Sequence, residues 1–373
     1  MDLESLTANL RRIRSERDYS QADLAERAGL SKQGYHLIES GASEPRSSTL
    51  SALARALRVP LAELLRPVEK LEHVRFRSEA PLRTRPAVEA RVAAWLHDYR
   101  ELEQIVGCEQ QPPPKLKAHE AASPELAAVA ARRRLGVAPG EPIRDACGLL
   151  EDNGVKVGTI PFATSRFFGL SIGPGGGGPA IVVNTWERIT VERWIFTLAH
   201  ELGHLMLHLG DYDASERDED PAHEREADLF AACFLVPRDV FEKEWEQSRG
   251  LDIIDRVMKA KRMFRVSWRT ILHRATELGD ETAWGRFHGA YERKHGSLLE
   301  RTEEPRALGS GDFRPSPATR EPKGLDEADF REDRLMRLVR DAVEREHISL
   351  SRAAEILRMS LSDVRALSAG WGG

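Results

Sequence analysis

In the run LAHELGHLMLH (198–208), His200 and His204 stand four residues apart, with Glu201 beside the first. On an α-helix, residues i and i+4 share a face with Cβ atoms about 5–6 Å apart, so both imidazoles can reach one ion. Glu201 is turned about 100° around the helix from His200, where its carboxylate can approach a water at the metal without ligating. This is the His-Glu-x-x-His arrangement of zinc peptidases. The flanking WIFTLAH and LGHLMLH are strongly apolar, so the helix is expected to be buried on most sides. Burying two histidines and a glutamate without partners is costly, and a metal would satisfy all three.

A catalytic zinc takes three protein ligands and keeps its fourth position for water. The stretch HEREADLFAA, which begins at His223, offers Glu224 and Asp228 four residues apart on one helical face. Glu224 is the expected third ligand, and Asp228 then accepts the free N–H of a ligating histidine. Glu226 lies about 200° around the helix from Glu224 and stays open as the alternative ligand. His208 continues the four-residue series. However, His200 and His208 are about 12 Å apart along the axis, so three histidines of one straight helix cannot surround one ion. His208 is expected at the C-terminal end of the helix, where a cation is favoured, with substrate contact as the lesser alternative. His223 and Tyr212 border the site in sequence and are expected to be surface residues rather than oxyanion stabilisers.

The elements that must position these groups form a mixed pattern from about Glu125 to Leu278. ELAAVAARRRLG and IRDACGLLEDNG read as helices, and VKVGTIPF, RFFGLSI and PAIVVN as strands. The GPGGGG run (173–178) reads as a flexible connection. Residues 189–208 return to helix. An acidic loop follows at 211–220, with six acidic residues against one arginine, and then the helix HEREADLFAACFLVP.

FTLAHELGHLMLH followed by EREADLFAACFLVP resembles the ImmA/IrrE family of metallopeptidases, and the likeness covers roughly 125–278. The resemblance implies a thermolysin-like helix pair with zinc on His200, His204 and Glu224, one ion per chain. It also implies Glu201 as general base and Asp228 behind the ligands. It implies cleavage of transcriptional repressors that switches on stress or mobile-element genes.

Residues 1–66 read as short helices. Leu6, Leu10 and Ile13 keep one face apolar, as do Leu24, Ala25 and Ala28, and Leu50, Leu53, Leu57 and Leu64 complete a small core. Ser20 can cap the helix QADLAERAG, and Gly29 ends it. SQADLAERAGLSKQGYHLIESGASEPRSSTLSALARAL resembles the XRE (Cro/C1-type) helix-turn-helix family, which implies a second helix from Ser31 entering the DNA major groove. Lys32, Gln33 and His36 are the expected base readers, and Gln21 and Arg46 the expected phosphate contacts. Ten basic against nine acidic residues in 1–66 make a weak electrostatic footprint. Dimers are common in this family, so a homodimer is an expectation.

The rest of the chain is expected as a 67–124 linker with a helix at 88–106, a peptidase domain over 125–299, a flexible linker at 300–324 and a helical unit at 325–373. The last carries eight arginines and no lysine against ten acids, which favours packing or dimerisation over DNA contact. The fold class expected is multidomain and mainly α: an all-α head, an α+β zincin-like domain with a small sheet, and a helical tail.

With 373 residues the chain is long enough for two or three domains, and its net charge of −5 leaves nucleic-acid contact to a local patch. No apolar run approaches the ~20 residues that span a bilayer, and the charged start is unlike a signal peptide. Three scattered cysteines give no disulfide framework, so the cytoplasm is the expected compartment. Two functions follow. The first is a zinc endopeptidase fused to a DNA-binding head, cutting a repressor or itself. The alternative is a non-proteolytic helix-turn-helix regulator whose zinc domain is sensory or structural. Glu201 favours the first, because structural zinc is usually held by four Cys and His ligands and needs no base.

Overall fold

A computed structural model describes residues 2–17, 19–66, 71, 73–78, 85–211, 220–300, 303–305 and 325–371. Tyr212, the acidic loop over 212–219, Pro81 and most of the 300–324 linker lie outside the described residues. The described chain is mainly helical, with one four-stranded sheet. It begins with α1 (Leu3–Glu16), α2 (Gln21–Arg27), α3 (Lys32–Glu39), α4 (Ser47–Leu57) and α5 (Leu61–Leu65). Then come β1 (Val74–Ser78), α6 (Arg85–Val106), α7 (Pro124–Arg134), α8 (Ala146–Asp152), β2 (Lys156–Ile160), β3 (Phe167–Ile172) and β4 (Ala180–Asn184). The next helices are α9 (Val191–Leu207), α10 (Pro221–Leu235), α11 (Arg238–Gln247), α12 (Ile253–Phe264), α13 (Trp268–Glu277) and α14 (Ala283–His295). The chain closes with α15 (Arg334–Glu344), α16 (Leu350–Leu357) and α17 (Leu361–Ala369). Among the described residues no helix is long and apolar enough to cross a membrane.

These elements group into two units, one of Met1–Leu71, Pro81–Glu109 and Met336–Gly373, the other of Glu72–Ala80 and Gln110–Leu335. In the first, α2 starts on a capping box. Ser20 Oγ accepts from Asp23 N at 3.2 Å, while Asp23 accepts from Ser20 N at 2.9 Å. Gly29 takes the left-handed conformation (φ +69°) that ends α2, and Ser31 Oγ starts α3 by accepting from Gly34 N at 3.0 Å. Leu6, Leu10, Leu24, Tyr35, Leu53, Leu57 and Leu64 are fully enclosed between these helices. The stretch expected as a linker supplies more than a spacer. Asp98 on α6 pairs with Arg66 and with Arg352 of α16, the latter at 2.6 Å, and Arg352 also reaches Glu101 at 2.7 Å. The helical tail is thus divided. Residues 336–373 join the head, whereas Phe330 meets Trp194 edge-on and Glu332 accepts from Thr159 Oγ1 at 2.6 Å in the second unit.

The sheet of the second unit runs β1-β3-β4-β2, with β2 and β4 parallel and the other neighbours antiparallel. β2, β3 and β4 fall on the three expected strands. β1 falls inside the stretch read as a linker and was not foreseen. Asn184 at the end of β4 ties down the loop before β3. It accepts from Phe162 N at 2.9 Å and donates to Phe167 O at 2.8 Å. α9 is buried on most sides, as its apolar sequence predicts, and α10 packs along it.

Candidate metal centre

Two glycines set the approach of the elements that make the site. A Cβ on Gly203 would lie 3.0 Å from Phe230 Cδ1 and 3.3 Å from Ala227 Cα, so any larger residue would push α10 outward from α9 at this point. A Cβ on Gly169 would lie 2.7 Å from Thr197 Cγ2 and 2.9 Å from Val182 O, so β3 can settle directly on α9. α10 begins on Asp220, which accepts from Ala222 N at 2.8 Å, with Pro221 in the first turn where its missing N–H costs nothing.

This packing brings His200, His204 and Glu224 together. Their donor atoms all lie within 4.8 Å of one another. His200 Nε2 and His204 Nε2 are 3.0 Å apart, and the two Glu224 oxygens face them, each at 3.1 Å. His200 and His204 are almost completely buried. The far side of each ring is also engaged. His200 Nδ1 is 2.8 Å from Asp228 Oδ1. His204 Nδ1 is 3.1 Å from His208 Nδ1, and His208 Nε2 is 2.8 Å from Glu226 Oε2.

The protons follow from this chain. A carboxylate only accepts, so His200 donates from Nδ1 to Asp228 and leaves Nε2 bare. His208 likewise donates from Nε2 to Glu226, so its Nδ1 accepts from His204, whose Nε2 is also left bare. Two imidazole lone pairs and a carboxylate then converge on one point, which is the donor set of a cation site. Nitrogen and oxygen donors of this kind suit zinc. Burial keeps His204 neutral and pushes it down to about 3, against the pull of Glu224. Burial opposes the charge on Glu224, but its contacts with the His200 and His204 rings outweigh it and hold the carboxyl well below its usual range.

Glu226, the alternative ligand, stands away from the donor cluster and serves His208 instead. His208 lies at the C-terminal end of α9 as expected, and its ring is buried. Burial lowers its pKa, and it stacks on His223 at 4.3 Å. Glu201 is buried outside the donor triad and accepts a 2.5 Å hydrogen bond from Ser171 Oγ of β3. Arg75 of β1 brings its guanidinium to 3.6 Å from Glu224 Oε1. Neither Ser171 nor Arg75 was marked by any spacing in the sequence, because both reach the site through strand register.

In the head, Lys32, Gln33 and His36 are exposed on α3, and Arg46 is exposed at the start of α4. Gln21 is partly buried, and its amide donates to Glu39. Glu39 also accepts from Tyr35 Oη at 2.7 Å and from Arg14 Nε at 2.6 Å, so Gln21 is tied into the support of the head.

Residues 150–276 match the IrrE N-terminal-like domain of the M78 peptidase family, and residues 10–64 match the helix-turn-helix family. An HTH-type transcriptional regulator of Mycobacterium bovis and two of Mycobacterium tuberculosis are each 40% identical over 60 residues. That is 16% of this chain and 23% of each regulator, so the chain matches about a quarter of their length. The chain therefore joins an XRE-type helix-turn-helix domain to an ImmA/IrrE-type domain of the M78 peptidase family.

Proposed function

We propose that this protein is a zinc-dependent endopeptidase, with one zinc per chain, carried on a DNA-binding head in the cytoplasm. Its substrate is a transcriptional repressor or another copy of this chain, and cleavage relieves repression of stress or mobile-element genes. The observation that carries the reading is the separation of roles: His200, His204 and Glu224 converge, while the buried Glu201 carboxylate is held aside by Ser171. A merely structural site needs no such base.

Zinc on the three ligands would polarise the scissile carbonyl and acidify a water beside it. Glu201 takes a proton from that water and passes it to the leaving amine, so that the C–O bond forms and the C–N bond breaks with protons balanced. Ser171 holds the Glu201 carboxylate in one orientation through both transfers. Asp228 fixes the tautomer of His200, and the His208–Glu226 pair fixes that of His204. On the head, Lys32, Gln33 and His36 read bases while Arg46 positions the phosphates and Gln21 braces Glu39 instead, in keeping with the regulator names of the relatives. Pairing of two heads would give a dimer on a two-fold site.

The deciding experiment incubates the zinc-loaded protein and its Glu201→Gln variant with lysate of the source cells, unstressed and stressed, and compares new protein N-termini. New termini made by the wild type alone, inside a repressor or this chain, support the reading. Identical termini in both, with one zinc bound to each, would move the function to a non-proteolytic regulator.

A further inference from the structure

Arg75 stands 96 residues upstream of Ser171, yet the two face each other across the β1–β3 ladder. Directly opposed residues of an antiparallel pair share a face of the sheet. Ser171 turns to Glu201 on α9, so Arg75 turns to the same side. There its guanidinium is 3.6 Å from Glu224 Oε1 and only 12% exposed. β1 is anchored on both flanks. His73 O accepts from Gly173 N at 2.9 Å, and Phe76 is buried against Phe167. A cation thus stands beside the third ligand, on the face of the sheet from which Ser171 reaches the base. A guanidinium keeps its charge at every working pH and presents several donors in a rigid fork. A permanent cation so placed serves whichever group becomes negative there. Glu224 would be neutralised by the cation that it and the two imidazoles hold, whereas the carbonyl oxygen of a peptide under attack gains a full charge.

We infer that Arg75 is the residue that binds the scissile carbonyl oxygen as it becomes an oxyanion, a role for which the sequence offered no donor. This inference rests on the peptidase reading above. As the water oxygen adds to the carbonyl carbon, the π electrons move onto the carbonyl oxygen and Arg75 donates an N–H to it. When the C–N bond breaks, the electrons return and the hydrogen bond weakens. Because the interaction is stronger in the transition state than in the ground state, its loss lowers kcat and leaves KM nearly unchanged.

The test compares wild type, Arg75→Ala and Arg75→Lys as full-length, zinc-loaded proteins. Titration calorimetry measures binding of N-phosphoryl-leucinamide, whose tetrahedral anion mimics the oxyanion, and of acetohydroxamate, which reports only an intact metal centre. Arg75→Ala is expected to bind the phosphoryl compound at least about tenfold more weakly and acetohydroxamate as wild type does. Its kcat is expected to fall about 10²–10³-fold, the usual cost of one oxyanion donor. Arg75→Lys should fall between the two. Unchanged phosphoryl binding in Arg75→Ala overturns the inference. So does equal loss of both ligands in both variants, which would assign Arg75 to Glu224 and the fold. Activity at or above wild type in Arg75→Ala overturns it too, and would make β1 a strap across the cleft. A wild type no more active than Glu201→Gln sinks the peptidase reading itself, whereas an active wild type with an equally active Arg75→Ala sinks only this inference.

Discussion

Glu224, Glu226 and Asp228 sit within five residues on one helix, and the structure gives each a different place relative to the donor cluster. Replacing each by its amide should rank them. Glu224 supplies both oxygens to the donor cluster at 3.1 Å. Structural zinc sites are worth about 10–16 kcal/mol in apparent terms, which over four ligands is about 2.5–4 kcal/mol each. Glu224→Gln should therefore weaken zinc binding roughly 10²–10³-fold. Asp228 touches a ligand ring directly at 2.8 Å, and removing such a partner costs about 10–100-fold. Glu226 acts through His208, one ring further out, and its side chain is about half exposed. Its loss should cost no more than about tenfold, since it reaches the ligand ring only through His208. The assay is competition for zinc against a fluorescent chelator at fixed pH, with circular dichroism to show that each variant is folded. If Glu226→Gln loses zinc as completely as Glu224→Gln does, Glu226 is a ligand and the proton chain drawn through His208 is wrong. If Asp228→Asn is without effect, the tautomer argument for His200 fails.

Gly203→Val should destabilise the second unit by about 1–3 kcal/mol, the usual cost of overpacking, and weaken zinc binding with it. A Cβ already meets Phe230 at 3.0 Å, and α10 carries Glu224 and Asp228, so a rise in melting temperature with unchanged zinc affinity would refute the close-approach argument. Glu39 in the head is buried, yet hydrogen bonds from Arg14, Gln21 and Tyr35 more than offset burial and lower its pKa. A lowered folded pKa means stability that is present above the unfolded value of 4.5 and is lost as pH falls through the folded value. Glu39→Gln should thus cost about 2–4 kcal/mol at neutral pH, because it leaves Arg14 without its charge partner, and should flatten the acid side of the stability profile. Equal acid sensitivity in wild type and variant, followed by denaturant unfolding from pH 3 to 7, would count against it.

Much of this protein is written locally. The apolar run around His200 and His204 specifies a buried helix, and its four-residue spacing puts both rings on one side. Ser20, Gly29 and Ser31 specify the start, end and restart of the two head helices, because caps and left-handed turns depend on a few neighbouring residues. The strands β2, β3 and β4 stand out through β-branched and aromatic residues between turn formers. The preference for Glu224 over Glu226 came from the helical wheel, and the structure puts Glu224 beside the two rings. Which of the two meets His208 was not legible, since it depends on how α10 lies along α9 and on Gly203 allowing them to close.

Tertiary structure alone decided the rest, because the contacts concerned join residues far apart in the chain. VRFRS is as long as β2 or β4, but with two arginines and prolines close by it does not announce itself as a strand. It becomes β1 only because β3 offers an open edge, and one register then carries Arg75 to the metal centre. The same edge places Ser171 on Glu201. Arg352 meets Asp98 across some 250 residues, so the tail's attachment to the head could not be read from either segment alone. Helix identity and residue spacing follow from neighbours along the chain. Register, helix approach and the partner of each buried charge follow from neighbours in space, and the sequence by itself does not name those.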